Sequence, residues 1–293
     1  MPHKSGYINI IGNPNAGKST LMNALVGEKI SIITSKVQTT RHRILGIVNG
    51  EEFQMIFSDT PGIISKPAYK MHEIMNSFVE TAMIDADIIL FIIDIQDKSD
   101  FKDILPKLQH ALVPVFILLN KIDLSTQPEV EALIKHWQSL VPQASIIPMS
   151  ALLGFNIEAV MNKIVDLLPE SPPYFPKDEL TDKSMRFFVA EIIREKILLN
   201  YKQEIPYAVE VAVESYEESK DIIRIRAIIF ASRESQKAIL IGHQGSAIKK
   251  TGIMARIDIE EFVGRKVFLD LAVKVNKDWR DDDNMLKRFG YEA

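Results

Sequence analysis

A chain of 293 residues, 46% of them hydrophobic and with a formal charge of −4, can fill about two soluble domains and lacks the basic excess of a general nucleic-acid coat. There is no cysteine, which excludes disulfides, iron–sulfur clusters and cysteine-held zinc, and the six histidines show no ligand spacing. The longest apolar runs, Ile88 to Ile93 and Val113 to Leu119, fall far short of the ~20 residues of a membrane helix, and Met1 to Gly6 holds no apolar signal stretch, so a reducing, cytoplasmic setting is expected.

From Tyr7 to about Leu168, apolar runs of strand length alternate with segments of helical period, the pattern of a mostly parallel, doubly wound α/β sheet. Tyr7 to Ile11 is the first strand. It leads into Gly12 to Ser19 (GNPNAGKS), which fits G-x-x-x-x-G-K-[ST] between a strand and a helix starting near Lys18. Glycines there turn successive N–H groups inward at the positive end of a helix, making a nest for phosphate oxygens. Lys18 adds a point charge to the β- and γ-phosphates, and the Ser19 hydroxyl is a ligand for Mg²⁺. Next comes a polar stretch, Gln38 to Arg41, where Thr40 is placed as a switch ligand to the metal and Thr39 is its rival.

Ile44 to Val48 is expected to pair at one edge of the sheet, and Glu52 to Ser58 is a core strand. The latter ends in Asp59-Thr60-Pro61-Gly62, where the Asp can reach the metal through water and the Gly62 N–H can meet the γ-phosphate. A helix from near Lys70, the strand Ile88 to Asp94, a helix from near Asp100 and the strand Val113 to Asn120 follow. At the end of that last strand stands Asn120-Lys-Ile-Asp123. A carboxylate there accepts two hydrogen bonds from the guanine N1–H and 2-amino group, whereas adenine offers no donors and leaves it unpaired, at about 1 to 3 kcal/mol or more for a charged group. Asn120 would tie the loops together, and Lys121 would lay its stem along the base. After a helix from near Gln127 and the strand Ser145 to Pro148, Ser150-Ala151-Leu152 can set the Ala151 N–H on the guanine O6. Nucleotide contacts are thus expected at Gly12, Asn13, Pro14, Asn15, Ala16, Gly17, Lys18, Ser19 and Thr20, at Asp59 to Ile63, at Asn120, Lys121 and Asp123, and at residues 150–152.

A helix from near Phe155 closes this region. Leu168 to Lys177 then brings four prolines with no periodicity, an extended connection, so domains are expected at 1–170 and 184–293 with 171–183 between them. Ser184 to Tyr201 reads as an amphipathic helix, Tyr207 to Tyr216 and Asp221 to Phe230 as a strand hairpin, Ser232 to Ile241 and Ser246 to Phe262 as helices, and Val267 to Val275 as a last strand. The acidic Asp281 to Asp283 is expected to be a solvated end. The order α-β-β-α-α-β carries Ile241-Gly242-His243-Gln244-Gly245 between its last two helices, a GXXG loop of the kind that clamps about four nucleotides of single-stranded RNA. Ile222 to Ile257 holds seven basic residues against one acid. Of these, Arg233, Lys237, Lys249 and Lys250 are placed at the RNA, while Arg224 and Arg226 read equally well as the solvated face of a strand.

With these motifs the chain resembles the translation-factor-related branch of P-loop GTPases and, within it, the Era family. GNPNAGKS, QTTRHR, DTPG, NKID and SAL carry the resemblance in the first half, and SQKAILIGHQGSAIKK, VFLDLAVKV and Trp279 carry it in the second. It implies a type II KH domain, GTP and GDP as ligands, and the 3′ end of 16S rRNA as target during 16S rRNA processing and maturation of the 30S subunit. It also implies a monomer and peripheral membrane association, the latter without support from a lipidation motif or basic amphipathic helix. Ile63 stands where Ras-like enzymes carry the glutamine that orients water, so hydrolysis needs another organiser, and the resemblance suggests K⁺ held partly by Asn15. Lys18, Thr40, Gly62 and Asn15 are therefore the expected catalytic set. Rival readings are an ATP-dependent enzyme, disfavoured by Asp123, an RNA-binding module with a merely structural nucleotide pocket, and a membrane-cycling GTPase.

Overall fold

The computed structural model describes residues 2–64, 66–99 and 101–291. The first half runs β1 (Lys4–Ile11), α1 (Lys18–Val26), β2 (Ile44–Asn49), β3 (Phe53–Asp59), α2 (Lys70–Ile84), β4 (Ile88–Asp94), α3 (Leu105–Gln109), β5 (Val115–Asn120), α4 (Gln127–Leu140), β6 (Ser145–Pro148) and α5 (Ile157–Leu167). The second runs α6 (Met185–Asn200), β7 (Val209–Glu218), β8 (Ile223–Ala231), α7 (Glu234–Ile241), α8 (Ser246–Val263), β9 (Val267–Val275) and α9 (Asp283–Arg288). The start expected near Asp100 lies outside the described residues.

The first sheet has the order β2-β3-β1-β4-β5-β6 and is parallel except for β2. Strand β4 shows why it must be covered on both sides. Ile88, Leu90 and Ile92 enter the cluster beneath α1 and α5, while Ile89, Phe91 and Ile93 enter the opposite one with Trp137 of α4. Side chains alternate along a strand, so a continuous apolar run needs helices on both faces. The carboxyl ends of β1, β3, β5 and β6 consequently open on one edge, where the loops expected to hold a nucleotide gather.

The second sheet, β7-β8-β9, pairs β7 and β8 antiparallel and β8 and β9 in parallel. Helices α6 and α8 fill one face through Val189, Ile193, Ile197, Ala255 and Ile259 against Val211, Ile225, Ala227 and Ile229. Residues 171–183, with a turn at 176–179, lie along the first sheet. Buried Gln54 accepts from the N–H groups of Tyr174 and Phe175 at 2.8 and 3.0 Å, and the Ile47 N–H donates to Leu180 O at 2.9 Å.

Two expectations need correction. Helix α6 is buried on nearly all sides, Glu191, Arg194, Glu195 and Lys196 included, because its polar face lies against the loop between α1 and β2 instead of water. The Asp281 to Asp283 segment is likewise no solvated end. Its carboxylates are exposed, yet the segment docks: Trp279, Leu286 and Tyr291 pack with Met71, Met75 and Phe78 of α2 in a shared core. Apolar residues flanking the three acids provide the burial that a charge count alone does not show.

Candidate functional site

The phosphate loop is shaped by close approach. Gly12 has φ +158° and Gly17 φ +106°, and a Cβ would stand 2.4 Å from Ile92 O at the first and 2.2 Å from Asn120 Nδ2 at the second. No side chain fits at either place. At Gly62 a Cβ would come within 2.8 Å of Pro14 Cγ, so the two phosphate-facing loops touch backbone to ring. Asn13 is tied to Asp97 Oδ2 at 2.8 Å, and the Thr60 hydroxyl donates to Ile10 O at 2.9 Å. The first bond ties the phosphate loop to the end of β4, and the second holds the ends of β1 and β3 side by side. A pocket of about 420 Å³ is lined by Pro14, Asn15, Gly17, Lys18, Ser19 and Thr20 on one side, residues 32–36 and 38–40 on another, and Gly62 and Lys121.

Inside it, Lys18 Nζ donates to Gly12 O and Asn13 O, both at 2.9 Å. Burial lowers its pKa to about 8, against the opposing pull of Asp59. Ser19 Oγ donates to Asp59 Oδ2 at 2.7 Å, and Thr40 Oγ1 lies 2.8 Å from Ser19 Oγ and 3.4 Å from Asp59 Oδ2. Of the rival threonines, Thr40 is the one in this cluster. The Thr39 hydroxyl instead faces away, donating to Lys36 O at 2.6 Å and meeting Thr34 Oγ1 at 2.7 Å.

Burial pushes the Asp59 carboxyl up, opposed chiefly by Lys18, and its Oδ1 has no hydrogen-bond partner. An orphaned carboxylate oxygen is costly to bury, and a hard cation relieves that cost. Among the described residues no group of three His, Cys, Asp or Glu could hold a metal. The set present is one carboxylate and two hydroxyls, which suits Mg²⁺, an ion that keeps waters and takes phosphate oxygens.

Asn120 ties its own loop to the phosphate loop and to the loop after β6. Its Nδ2 donates to Ala16 O at 2.8 Å, and its Oδ1 accepts from the Ala151 N–H at 2.9 Å. The N–H expected at guanine O6 is the one that meets Asn120 here. Lys121, left-handed at φ 65°, reaches Asp94 Oδ2 at 2.6 Å, and Asp123 is exposed on the short 3₁₀ turn that follows. The Ser150 hydroxyl accepts from Leu153 N at 3.3 Å, and Leu152 points to solvent. Ile63 packs at the edge of the core near Ile11, as an apolar anchor would. Asn15, left-handed at φ 63°, donates to Ser35 O at 3.2 Å.

In the second half, Gly242 to Gly245 forms one 3₁₀ turn between α7 and α8. Gly242 has φ 72° with Ala247 Cβ 2.6 Å from where its own would be, whereas at Gly245, φ 77°, nothing lies within 4 Å. His243, Gln244, Lys249, Lys250 and Arg233 are exposed, and Ile241 is half-buried. Lys237 lies 3.9 Å from Glu234. Beside the loop a groove of about 350 Å³ between α8 and β9 is lined by Ile248, Lys249, Gly252, Ile253, Arg256 and Phe268 among others. Arg224 sits over the Phe268 ring, and Arg226 pairs with Glu214 at 3.1 Å. Those two arginines therefore belong to the sheet's outer face.

Sequence reasoning missed a third cluster, where the halves meet. Arg41 and Glu210 are 3.1 Å apart and almost wholly buried, and the Tyr291 hydroxyl donates to Glu210 Oε2 at 2.6 Å. Burial raises the Glu210 pKa, but Arg41 and Arg194 outweigh it and hold the carboxyl below its usual range. The available signal was Arg41, the first basic position of QTTRHR, for which the nucleotide reading had no role.

Sheet order, phosphate loop and GXXG turn define a P-loop GTPase joined to a KH module. A family model described as 50S ribosome-binding GTPase matches residues 7–121, and one described as KH domain matches residues 204–280. GTPase Era of Alkaliphilus metalliredigens is 44% identical over 296 residues, covering 100% of both chains. GTPase Era of Ruminiclostridium cellulolyticum is 42% identical over 296 residues, covering 100% of this chain and 99% of its own. A crystal structure of Era in complex with MgGDPNP and nucleotides 1506–1542 of 16S ribosomal RNA superposes with a TM-score of 0.94 at 36% identity, over 99% of this chain and 100% of that one. The chain belongs to the Era family, and it is a GTPase.

Proposed function

We propose that this protein is a GTP-driven switch acting on the 3′ end of 16S rRNA during processing of that RNA and maturation of the 30S subunit. Convergence of Ser19, Thr40 and Asp59 is the observation that carries the reading: a metal and γ-phosphate placed there would hold the Thr40 loop on the phosphate loop, and their loss would release it. Ser19 and Thr40 would hold Mg²⁺ directly and Asp59 through water. The ion would neutralise charge on the β- and γ-phosphate oxygens. Lys18 and the N–H groups of residues 15–20 cradle the phosphates, the Gly62 N–H meets the γ-phosphate, and Asp123 selects guanine. Gly242 to Gly245, Lys249, Lys250, Lys237 and Arg233 grip the RNA backbone, and the α8–β9 groove takes the bases. The Era complex that holds both MgGDPNP and 16S rRNA supports this pairing of ligands.

Asn15 beside the Ser35 carbonyl supports a K⁺ site, an organiser for hydrolysis in the absence of a glutamine at Ile63. Hydrolysis equally fast in Na⁺ and K⁺, with Asn15→Ala neutral, removes that part of the reading. The main test is binding of a single-stranded oligonucleotide copying the rRNA 3′ end. It should be tighter with Mg²⁺ and a non-hydrolysable GTP analogue than with GDP. Equal binding in both states would refute the switch while leaving the GTPase intact.

A further inference from the structure

The loop that carries Thr40 is held from the far side. Lys36 Nζ donates to Tyr201 O at 2.6 Å, at the end of α6, and Arg194 of α6 donates to Thr39 O. Arg41 Nη1 donates to Val209 O at 2.7 Å and to Glu210 Oε2 at 3.1 Å, and its Nη2 to Pro206 O at 3.2 Å and Tyr207 O at 3.3 Å. The ring of His42 lies 4.3 Å from that of Tyr291. Thr40 thus meets Ser19 and Asp59 while its neighbour Arg41 is bonded to the turn that leads into β7 and its neighbour Thr39 to α6. A planar guanidinium reaches several carbonyls and one carboxylate at fixed angles, which an ammonium cannot reproduce.

The segment that completes this clamp also reaches α2, the helix after Gly62. Tyr69 gives α2 no side-chain cap. Its free N–H groups are met instead by the tail: Lys70 N donates to Asp281 Oδ1 and Met71 N to Arg280 O, both at 2.9 Å.

We propose that Arg41 is a positioning residue for GTP hydrolysis: held by Glu210 and the carbonyls of residues 206–209, it fixes where Thr40 stands and links that placement to the RNA-binding half. The proposal rests on the reading of Thr40 as a metal ligand and of RNA binding as nucleotide-linked. A ligand shifts a conformational equilibrium only through contacts that differ between the states, and the Arg41 bonds are contacts of that kind. Motion of Thr40 toward the metal loads them from one side, and motion of β7 on RNA binding loads them from the other. Linkage then requires the reciprocal effect, RNA altering GTP affinity relative to GDP by the same factor.

The test uses the full chain and the rRNA 3′-end oligonucleotide, comparing its affinity with a GTP analogue plus Mg²⁺ and with GDP, in wild type, Arg41→Lys and Glu210→Gln. A wild-type ratio of about fivefold or more, as is usual for coupled sites, should fall below about twofold in both variants. The RNA effect on the GTP-to-GDP affinity ratio should shrink by the same factor. Glu210→Gln is isosteric and changes no residue of the Thr40 loop itself, only the carboxylate that holds Arg41, so it gives a second reading if Arg41→Lys melts early. A variant that folds and keeps the wild-type ratio overturns the role of Arg41 alone. A wild-type ratio of one overturns the nucleotide-linked reading, and this inference with it.

Discussion

Two glycine loops are placed here to hold phosphates, and they are built in opposite ways. At Gly12 and Gly17 the space of a Cβ is taken by Ile92 O and Asn120 Nδ2, and the charges behind the loop, Lys18 and Asp59, are buried. At Gly245 the space is open, and Lys249 and Lys250 beside it are exposed. The first loop is completed before its ligand arrives, with desolvated groups whose cost only one small, highly charged ligand can offset. The second presents backbone and flexible cations to a polymer that can approach in many registers. The difference teaches that the nucleotide site should respond strongly to single atoms, and the RNA site to charge and salt.

The largest expected effect follows from the buried end. Lys18→Met preserves stem volume but removes the ammonium proposed to make two charge-assisted bonds to phosphate, each worth about 1.5 to 3 kcal/mol. Single-turnover hydrolysis should fall by about 10³-fold, with RNA affinity in GDP unchanged. A loss below about tenfold would mean that the backbone nest alone carries the phosphates. Salt should separate the two sites next. If Arg233, Lys237, Lys249 and Lys250 each neutralise one phosphate, the single-strand slope of about −0.7 per contact predicts roughly 50-fold weaker RNA binding between about 50 and 200 mM salt. GTP affinity should move far less, because buried pairs are weakly screened.

A third effect uses the open space at Gly245. Gly242 is the more obvious target, but its Cβ would strike Ala247 at 2.6 Å, so a variant there confounds folding with binding. Gly245→Asp puts a carboxylate where phosphate is expected, at a left-handed position that Asp tolerates better than most residues. RNA affinity should drop roughly 10- to 30-fold, or about 1.4 to 2 kcal/mol, with GTP hydrolysis in the absence of RNA unaltered. Unchanged RNA binding would remove the GXXG turn from the interface.

Much of this contrast was legible in the sequence because local rules govern it. Strand β4 reads as buried on both faces from its unbroken apolar run, and Gly12 to Ser19 is a nest wherever a strand precedes it and a helix follows. Asn120 could be placed as a loop tie because it ends a strand at the ligand edge. Long-range docking had no such local signal. Glu191, Arg194, Glu195 and Lys196 have the spacing of a solvated helix face, and nothing within α6 says that a loop about 155 residues earlier will cover it. Asp281 to Asp283 reads as a tail by charge, although its neighbours Trp279, Leu286 and Tyr291 hold it on α2.

The smallest effect concerns the proton on Lys18, and it sharpens the comparison most directly. Burial lowers this ammonium to about 8 in the nucleotide-free protein, so near that pH part of the population is neutral. Phosphates placed on Nζ favour the charged form and raise the pKa in the complex. Binding therefore takes up a proton at pH above the lower value, and affinity must fall as pH rises between the two. Below about pH 7.5 it should be flat, and by about pH 9 it should have dropped roughly eightfold, the change expected for one group titrating near 8. Lys18→Met should abolish this dependence. Calorimetry in buffers of different ionisation enthalpy would count the proton. RNA binding, which relies on exposed rather than buried cations, is the control over the same range and should be level. A matching decline for RNA would mean that the two loops do not differ as their burial implies.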